Sequence, residues 1–420
     1  MRKIFFFVFI YFIPFYISAQ ALPDTTQKII TDRLNSSKQK EKPYLILISV
    51  DGFRHDYADK FGAKNILRLS KNGVRAEAMI PSYPTFTFPS HYTIITGMHP
   101  ARHGLISNHF YDRSRKEYYS MRQPMKVKDG SWYGGIPLWT LAEQQQMLSA
   151  CYYWAGSEAD IAGTKPTYHY AYNEIIPIDK RIKNVRNWLE LPDDKRPHLI
   201  TFYFPEVDQM GHRFGPDAVE TGQAVQWVDS CIQWLVEEVN RTDLPVNFIL
   251  LSDHGMTNLD KKNTIKFPAE FDQKKFIIPP GSEIIHLFAK QQDYIPAAYQ
   301  LLSDHAEDYD IYLREDLPEN LYPVTETALN RFGDIVLISH WPKVFNITSR
   351  NPNPGGHGFD PYKVPDMQAV FYAWGPHFKS GMTIPSFESV HVYPIVTSIL
   401  GLRYSHIIDG NSSIAEQILK

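Results

Sequence analysis

The sequence predicts an α/β fold built on a mostly parallel sheet between helical layers, and two observations carry that expectation. Three continuous apolar runs, "PYLILISVDG" from Pro43, "PHLITFYFPEVD" from Pro197 and "LPVNFILLSDHG" from Leu244, have the length and composition of strands buried on both faces. Helix-like stretches, "IKNVRNWLEL" and "AVQWVDSCIQWLVEEV", separate them. That alternation supplies the crossovers a parallel sheet requires.

Size and composition bound the rest. The 420 residues are 43% hydrophobic and 14% aromatic, enough for a large core in one big domain with an insertion, or in two domains. A formal net charge of -3 leaves no electrostatic footprint for nucleic acid, so no specific nucleic-acid binding is expected. The start "MRKIFFFVFIYFIPFYISAQA" reads as a signal peptide over 1–21: a basic opening, an apolar run, then small residues. The apolar run is shorter than the ~20 residues of a membrane span. The expectation is a protein exported to the periplasm or secreted, with no stable membrane anchor. Residues 22–42 are polar and read as a linker. Cys151 and Cys231 are the only cysteines and are expected as two buried thiols rather than a disulfide framework.

The catalytic fold is placed at 43–260 and 345–405. Between them "SEIIHLFAK", "DYIPAAYQLLSDH", "YDIYLRED" and "GDIVLISH" read as strand, helix, strand, strand, a small α/β insertion over 261–344. The stretch "ESVHVYPIVTSILGL" reads as a terminal helix, and 406–420 as a C-terminal tail.

Each apolar run ends in groups that bind metals. The first delivers Asp51, the second Asp208 with His212, the third Asp253 with His254, and the glycine-rich "NPGGHGFD" adds His357. Parallel sheets gather ligands beyond the carboxyl ends of their strands, where all these groups fall. Three carboxylates and three imidazoles suit zinc better than magnesium or calcium, which favour all-oxygen shells. Six ligands divide well between two Zn²⁺ ions. Their four positive charges against three carboxylates leave a site that attracts an anion such as phosphate. Taken singly, an Asp-Gly after a strand is most often a turn, and Asp208 with His212 an ordinary helix-start pair. The nearby Glu206, His55 and Asp56 are assigned no ligation, and His109, His169 and His286 are left as surface or core residues.

"LISVDGFRHDY", "YPTFTFPSHYTIITGMHPARHGLISN", "WAGSEADI", "PEVDQMGHRFGP", "LLSDHGM" and "GGHGFD" follow one another in chain order. Together they resemble the nucleotide pyrophosphatase/phosphodiesterase family (type I phosphodiesterases) of the alkaline phosphatase superfamily, over about residues 43 to 404. The resemblance implies an alkaline-phosphatase-like fold with two Zn²⁺ per chain. One ion would be held by Asp208, His212 and His357, the other by Asp51, Asp253, His254 and a nucleophilic threonine matching Thr87. An alcohol is a poor nucleophile near neutral pH, and zinc coordination would lower its pKa. Alone, Thr87 reads as a helix N-cap, with Pro89 at the first helical position and Thr85 as a turn or cap group. Asn108 matches a family donor to a non-bridging phosphate oxygen. Phe88, Trp154 and Tyr172 match positions that sandwich a nucleobase. Ser90 departs from the pattern, where family members often carry asparagine.

The resemblance implies a small-molecule phosphodiester or nucleotide substrate, cleaved to a nucleoside 5'-monophosphate through a phosphothreonine. The alternatives are a choline or lipid phosphodiesterase, a phosphonate or phosphomonoester hydrolase of the same superfamily, and a non-catalytic zinc-dependent binding protein. A sulfatase would need a Cys/Ser-x-Pro-x-Arg motif, and "TFTFPSHY" has no such arginine. Oligomeric state is left open.

Overall fold

The computed structural model describes residues 24–347 and 351–420. The expected signal peptide lies outside them. The main sheet has nine strands: β1 (Gln27–Ile29), β2 (Tyr44–Val50), β3 (Val74–Ala76), β4 (Ser149–Tyr152), β5 (Tyr168–Tyr170), β6 (Leu199–Phe204), β7 (Val246–Leu251), β12 (Phe371–Trp374) and β13 (Met382–Ile384). Strands β8 to β11 belong to a second sheet. The main-sheet order is β1-β5-β4-β6-β2-β7-β12-β3-β13. Its centre, from β5 to β7, is parallel throughout. Antiparallel pairings join β1 and β12 to either side of that centre.

Side-chain alternation explains why the central runs are apolar on both faces. Along β2, Leu45 and Leu47 point into one core, while Ile46, Ile48 and Val50 point into the other. The first core is closed by α1 (Thr87–Thr96) and α6 (Val392–Leu400), the second by α2 (Ile178–Leu189) and the 22-residue α4 (Val219–Asn240). A short helix, α3 (Glu206–Phe214), follows β6 after Pro205. Register then fixes the site. Val50 pairs with Phe204 and Ser49 with Leu251, so Asp51, α3 and Asp253 all leave the sheet at one edge.

The second sheet is antiparallel, in the order β8 (Phe276–Ile277), β9 (Ile284–Ala289), β11 (Ile335–Ser339), β10 (Tyr309–Leu313). Helix α5 (Ile295–Ser303) covers it, and Leu302, Ile285 and Leu287 share one small core.

Two terminal readings are corrected. Within 22–42, expected as a linker, Gln27–Ile29 forms the edge strand β1 on β5. Asn35 anchors the chain between β1 and β2, donating to Asp193 O and Arg196 O and accepting from the Leu148 amide. Backbone and amide hydrogen bonds hold this segment, so it lacks the apolar period that marks a strand. Within 406–420, helix α7 (Ser413–Ile418) buries Ala415 and Ile418, and Leu419 bridges to Phe378. Both thiols, Cys151 and Cys231, are free and buried.

Candidate active site

Asp51 follows β2 in a turn completed by Gly52, whose φ of +68° favours glycine. A Cβ on Gly52 would lie 2.9 Å from the Asp208 Cα, so the turn rests directly on α3. On that helix Asp208 and His212 stand four residues apart, on one face. The Ser252 hydroxyl donates to His254 O, holding the turn after β7. His357 comes from the loop whose Gly355 pairs with Asn258 and Gly356 with Thr257.

These elements bring the six expected ligands into two clusters with a shared wall. In one, His212 Nε2 lies 3.4 Å from Asp208 Oδ1 and 3.1 Å from His357 Nε2, with His357 Nε2 3.6 Å from the same Asp208 oxygen. In the other, His254 Nε2 lies 3.4 Å from Asp51 Oδ1 and 3.0 Å from Asp253 Oδ2. The His254 and His357 rings stack with centroids 3.6 Å apart. His254 also stands close enough to Asp208 and His357 to complete a ligand set with them.

The donor atoms fit cations in both clusters. Each imidazole donates from Nδ1 to a backbone carbonyl: His212 to Gly355 O, His254 to Gly255 O, His357 to Thr85 O. That fixes the tautomer and leaves the three Nε2 lone pairs facing inward, as metal-ligating histidines require. Asp51 Oδ1, Asp208 Oδ1 and Asp253 Oδ2 are buried with no hydrogen-bond donor. Lone pairs facing lone pairs at about 3 Å repel unless a positive charge lies between them. Asp51 records the strain: burial, then the Asp253 and Asp208 carboxylates, push its pKa well above the usual carboxylate range. For Asp253 burial also acts upward, but the His254 and His91 imidazoles outweigh it and hold the group well below that range.

Thr87 opens α1 beside these clusters. The helix N-cap is Phe86, which makes no side-chain cap, and the Thr87 hydroxyl lies 3.3 Å from His254 Nε2. The N-cap reading of Thr87 is therefore replaced. Pro89 stands third in the helix rather than first, still within the turn whose N–H groups have no helical partner. Asn108 accepts from the Phe88 amide at 2.9 Å. A backbone N–H can only donate, so the asparagine oxygen is fixed there and its NH₂ is free for another acceptor.

Thr85 is more than a cap. It is fully buried, its hydroxyl donates to Phe359 O at 2.8 Å and accepts from Gly358 N at 2.9 Å, and its carbonyl takes the His357 Nδ1 proton. Three hydrogen bonds thus tie the Thr87 turn to the His357 loop. Gly358 permits the closeness, because a Cβ there would meet the Phe86 ring at 2.3 Å.

Two residues at the site were not singled out from sequence. His91, one helical turn after Thr87, donates from Nδ1 to Thr87 O, with Asp253 Oδ2 3.1 Å from that nitrogen, and its Nε2 meets Ser49 Oγ at 2.8 Å. The Tyr203 hydroxyl donates to Asp51 Oδ2 at 2.5 Å. The i, i+4 spacing from Thr87 was the available signal for His91. Tyr203 lies inside the apolar run of β6 and had none. Among the aromatics, Phe88 is half-buried and Tyr172 is exposed, its hydroxyl donating to Glu174. Trp154 is buried, its indole N–H donating to His91 O, so it offers little surface to a ligand. Glu206 pairs with Arg181 and Asp56 with Arg54.

The sheet, its helical layers and ligands gathered at its carboxyl edge define an alkaline-phosphatase-like α/β protein. The profile of the family described as type I phosphodiesterase / nucleotide pyrophosphatase matches residues 45–360, and the chain belongs to that family. It is 34% identical over 374 residues to the venom phosphodiesterase of Macrovipera lebetinus, covering 86% of this chain and 44% of that one. Against ectonucleotide pyrophosphatase/phosphodiesterase family member 1 of Mus musculus the identity is 33%, covering 86% and 41%. The chain thus spans less than half the length of these curated relatives. The solved structure of murine ectonucleotide pyrophosphatase/phosphodiesterase 5 superposes with a TM-score of 0.83 at 26% identity, over 90% of this chain and all of that one. An inactive threonine-to-alanine variant of the same murine protein, in complex with AMP, gives 0.84.

Proposed function

We propose that this protein hydrolyses phosphodiester or pyrophosphate bonds in small nucleotides, with Thr87 as the nucleophile and nucleoside 5'-monophosphate as the product. The observation that carries the reading is the Thr87 hydroxyl, 3.3 Å from His254 Nε2 and free of any capping role, beside two clusters of inward-facing ligand atoms. Asp208, His212 and His357 would hold one Zn²⁺, and Asp51, Asp253 and His254 the other. When bound, the ions lower the pKa of the alcohol and neutralise charge on the phosphoryl oxygens.

The chain's own groups do the rest. Thr87 Oγ1 gives up its proton to solvent and attacks phosphorus in line, while the bond to the leaving oxygen breaks and that oxygen departs with the electron pair. The Asn108 NH₂ and the α1 N-terminus stabilise the non-bridging oxygens, where one such donor is worth about 3 kcal/mol. Water then cleaves the phosphothreonine and releases the monoester. Phe88 and Tyr172 flank the base, and stacking of this kind accepts any base. The AMP complex of the inactive murine relative supports a mononucleotide in such a site. No helix of the described residues is long and apolar enough to cross a membrane, and export before action is part of the proposal.

One panel in zinc tests the reading: para-nitrophenyl thymidine monophosphate, bis-para-nitrophenyl phosphate, para-nitrophenyl phosphorylcholine and para-nitrophenyl phosphate. The thymidine diester should be the best substrate, and chelation should abolish its hydrolysis. A preference for phosphorylcholine or for the monoester would overturn the nucleotide assignment.

A further inference from the structure

Helix α1 buries an imidazole that it does not need for its own hydrogen bonding. In a regular helix the Thr87 carbonyl has the backbone N–H four residues on as its partner. His91 brings a second donor to the same oxygen, with Nδ1 2.9 Å from Thr87 O. A carbonyl can only accept, so Nδ1 carries the proton and Nε2 is the acceptor. Ser49 Oγ, 2.8 Å from Nε2, is then the donor at the other end of the ring. Ser49 and His91 are at most 1% exposed, so no water competes for either bond.

The same nitrogen faces a candidate ligand. Nδ1 lies 3.1 Å from Asp253 Oδ2, the oxygen that approaches His254 Nε2 at 3.0 Å. The other Asp253 oxygen is held by the Gly52 amide at 3.3 Å and the Ser252 hydroxyl at 3.2 Å. With the His254 proton on its own Nδ1, the His91 N–H is the proton that stands beside Oδ2. Ser49 keys the ring to the sheet, because it lies two residues before Asp51 and pairs with Leu251, two residues before Asp253. The Trp154 and Tyr203 rings meet the imidazole edge-on, with centroids 5.1 and 5.2 Å away, and hold its plane. One side chain therefore touches the sheet edge, a ligand carboxylate and the backbone of Thr87.

We infer that His91 is a positioning residue, which sets the place of the Thr87 hydroxyl relative to the Asp51–Asp253–His254 cluster by joining Thr87 O and Asp253 through its Nδ1–H. The inference rests on the reading of Thr87 as nucleophile. His91 does not react; it acts through the two residues it joins. A misplacement of about 1 Å at a reacting group can cost about 100-fold in rate, so fixing the first turn of α1 bears on kcat more than on KM. Toward an ion, His91 is the outer partner of a ligand, whose loss typically costs about 10- to 100-fold in metal affinity.

An asparagine amide reaches the position of Nδ1 and a glutamine amide that of Nε2, so two variants separate the two ends of the ring. On bis-para-nitrophenyl phosphate, His91→Asn should retain most of kcat. His91→Gln should lower kcat about 100-fold below the parent with KM little changed. It should also weaken binding of one zinc ion about 10- to 100-fold in competition with a chromogenic chelator, a loss His91→Asn should not share. Both variants disturb the same packing, so their thermal unfolding should shift alike. Ser49→Ala keeps the ring and removes only its anchor, and should lower kcat about fivefold. Equal kcat and equal zinc affinity in the two His91 variants would make His91 a packing residue and overturn the inference. Should neither of them fold, a parent rate in Ser49→Ala would overturn it. A parent rate in Thr87→Ala is the separate failure, which removes the nucleophile reading and the inference with it.

Discussion

The two ligand clusters differ in how they are built. Asp51, Asp253 and His254 are at most 2% exposed and leave adjacent parallel strands, whose register places them side by side. Asp208 and His212 stand on a short helix, with side chains 17% and 31% exposed, and His357 arrives on a glycine-rich loop more than a hundred residues later. The first cluster is braced by Tyr203 and by the Ser49–His91 pair, all borne on the sheet or on α1. The second is braced by carbonyls of other loops, Thr85 O and Gly355 O. A sheet-edge cluster is organised by the fold itself. A helix-and-loop cluster depends on the few hydrogen bonds that dock the loop.

The largest expected effect tests whether both clusters persist without the Thr87 hydroxyl. Thr87→Ala should lower diester hydrolysis by several orders of magnitude while elemental analysis still finds about two zinc ions per chain. Thr87→Ser keeps the oxygen and loses a methyl that restricts its rotamer, and should retain partial activity. A phosphorylated peptide spanning residues 82–104, trapped by acid quench, would locate the intermediate. Near-normal rates for Thr87→Ala would make water the attacking group.

Ligand substitutions sharpen the contrast directly. His212→Ala should leave about one zinc ion per chain, because the sheet-edge cluster is unaffected. His254→Ala should cost both, since its ring stacks on His357 and its Nε2 faces both clusters. Equal zinc content in the two variants would contradict the difference in construction.

A smaller effect is expected from Thr85→Val, which removes the hydroxyl and keeps the branched shape and the backbone carbonyl. Losing the links to Gly358 and Phe359 should loosen the His357 loop and weaken binding of one zinc ion about 10- to 100-fold. Competition with a chromogenic chelator reads that affinity, and excess zinc should restore activity. If both ions bind as in the parent chain, Thr85 contributes only about 1 kcal/mol of fold stability.

The amino-acid sequence alone determined the architecture of the centre. The runs ending at Val50, Phe204 and Leu251 carry apolar residues on both faces, with one small or amide polar residue each (Ser49, Thr201, Asn247), because both faces of a central parallel strand are covered, and that pattern survives without coordinates. The grouping of the candidate ligands was legible for a related reason: strand ends in such a sheet converge, so Asp51, Asp208 and Asp253 could be expected at one edge. Tertiary structure decided what periodicity does not encode. The three-residue strand at Gln27, held by backbone and amide hydrogen bonds, carries no apolar signature. Tyr203 looks like any other core aromatic until its hydroxyl meets Asp51. Thr85 and Thr87 are two residues apart in one turn, and only the packed loop at Gly358 separates a hydroxyl saturated by backbone from one left facing His254. Local spacing sets which groups a segment offers, but contacts between residues hundreds of positions apart set which of them are already satisfied.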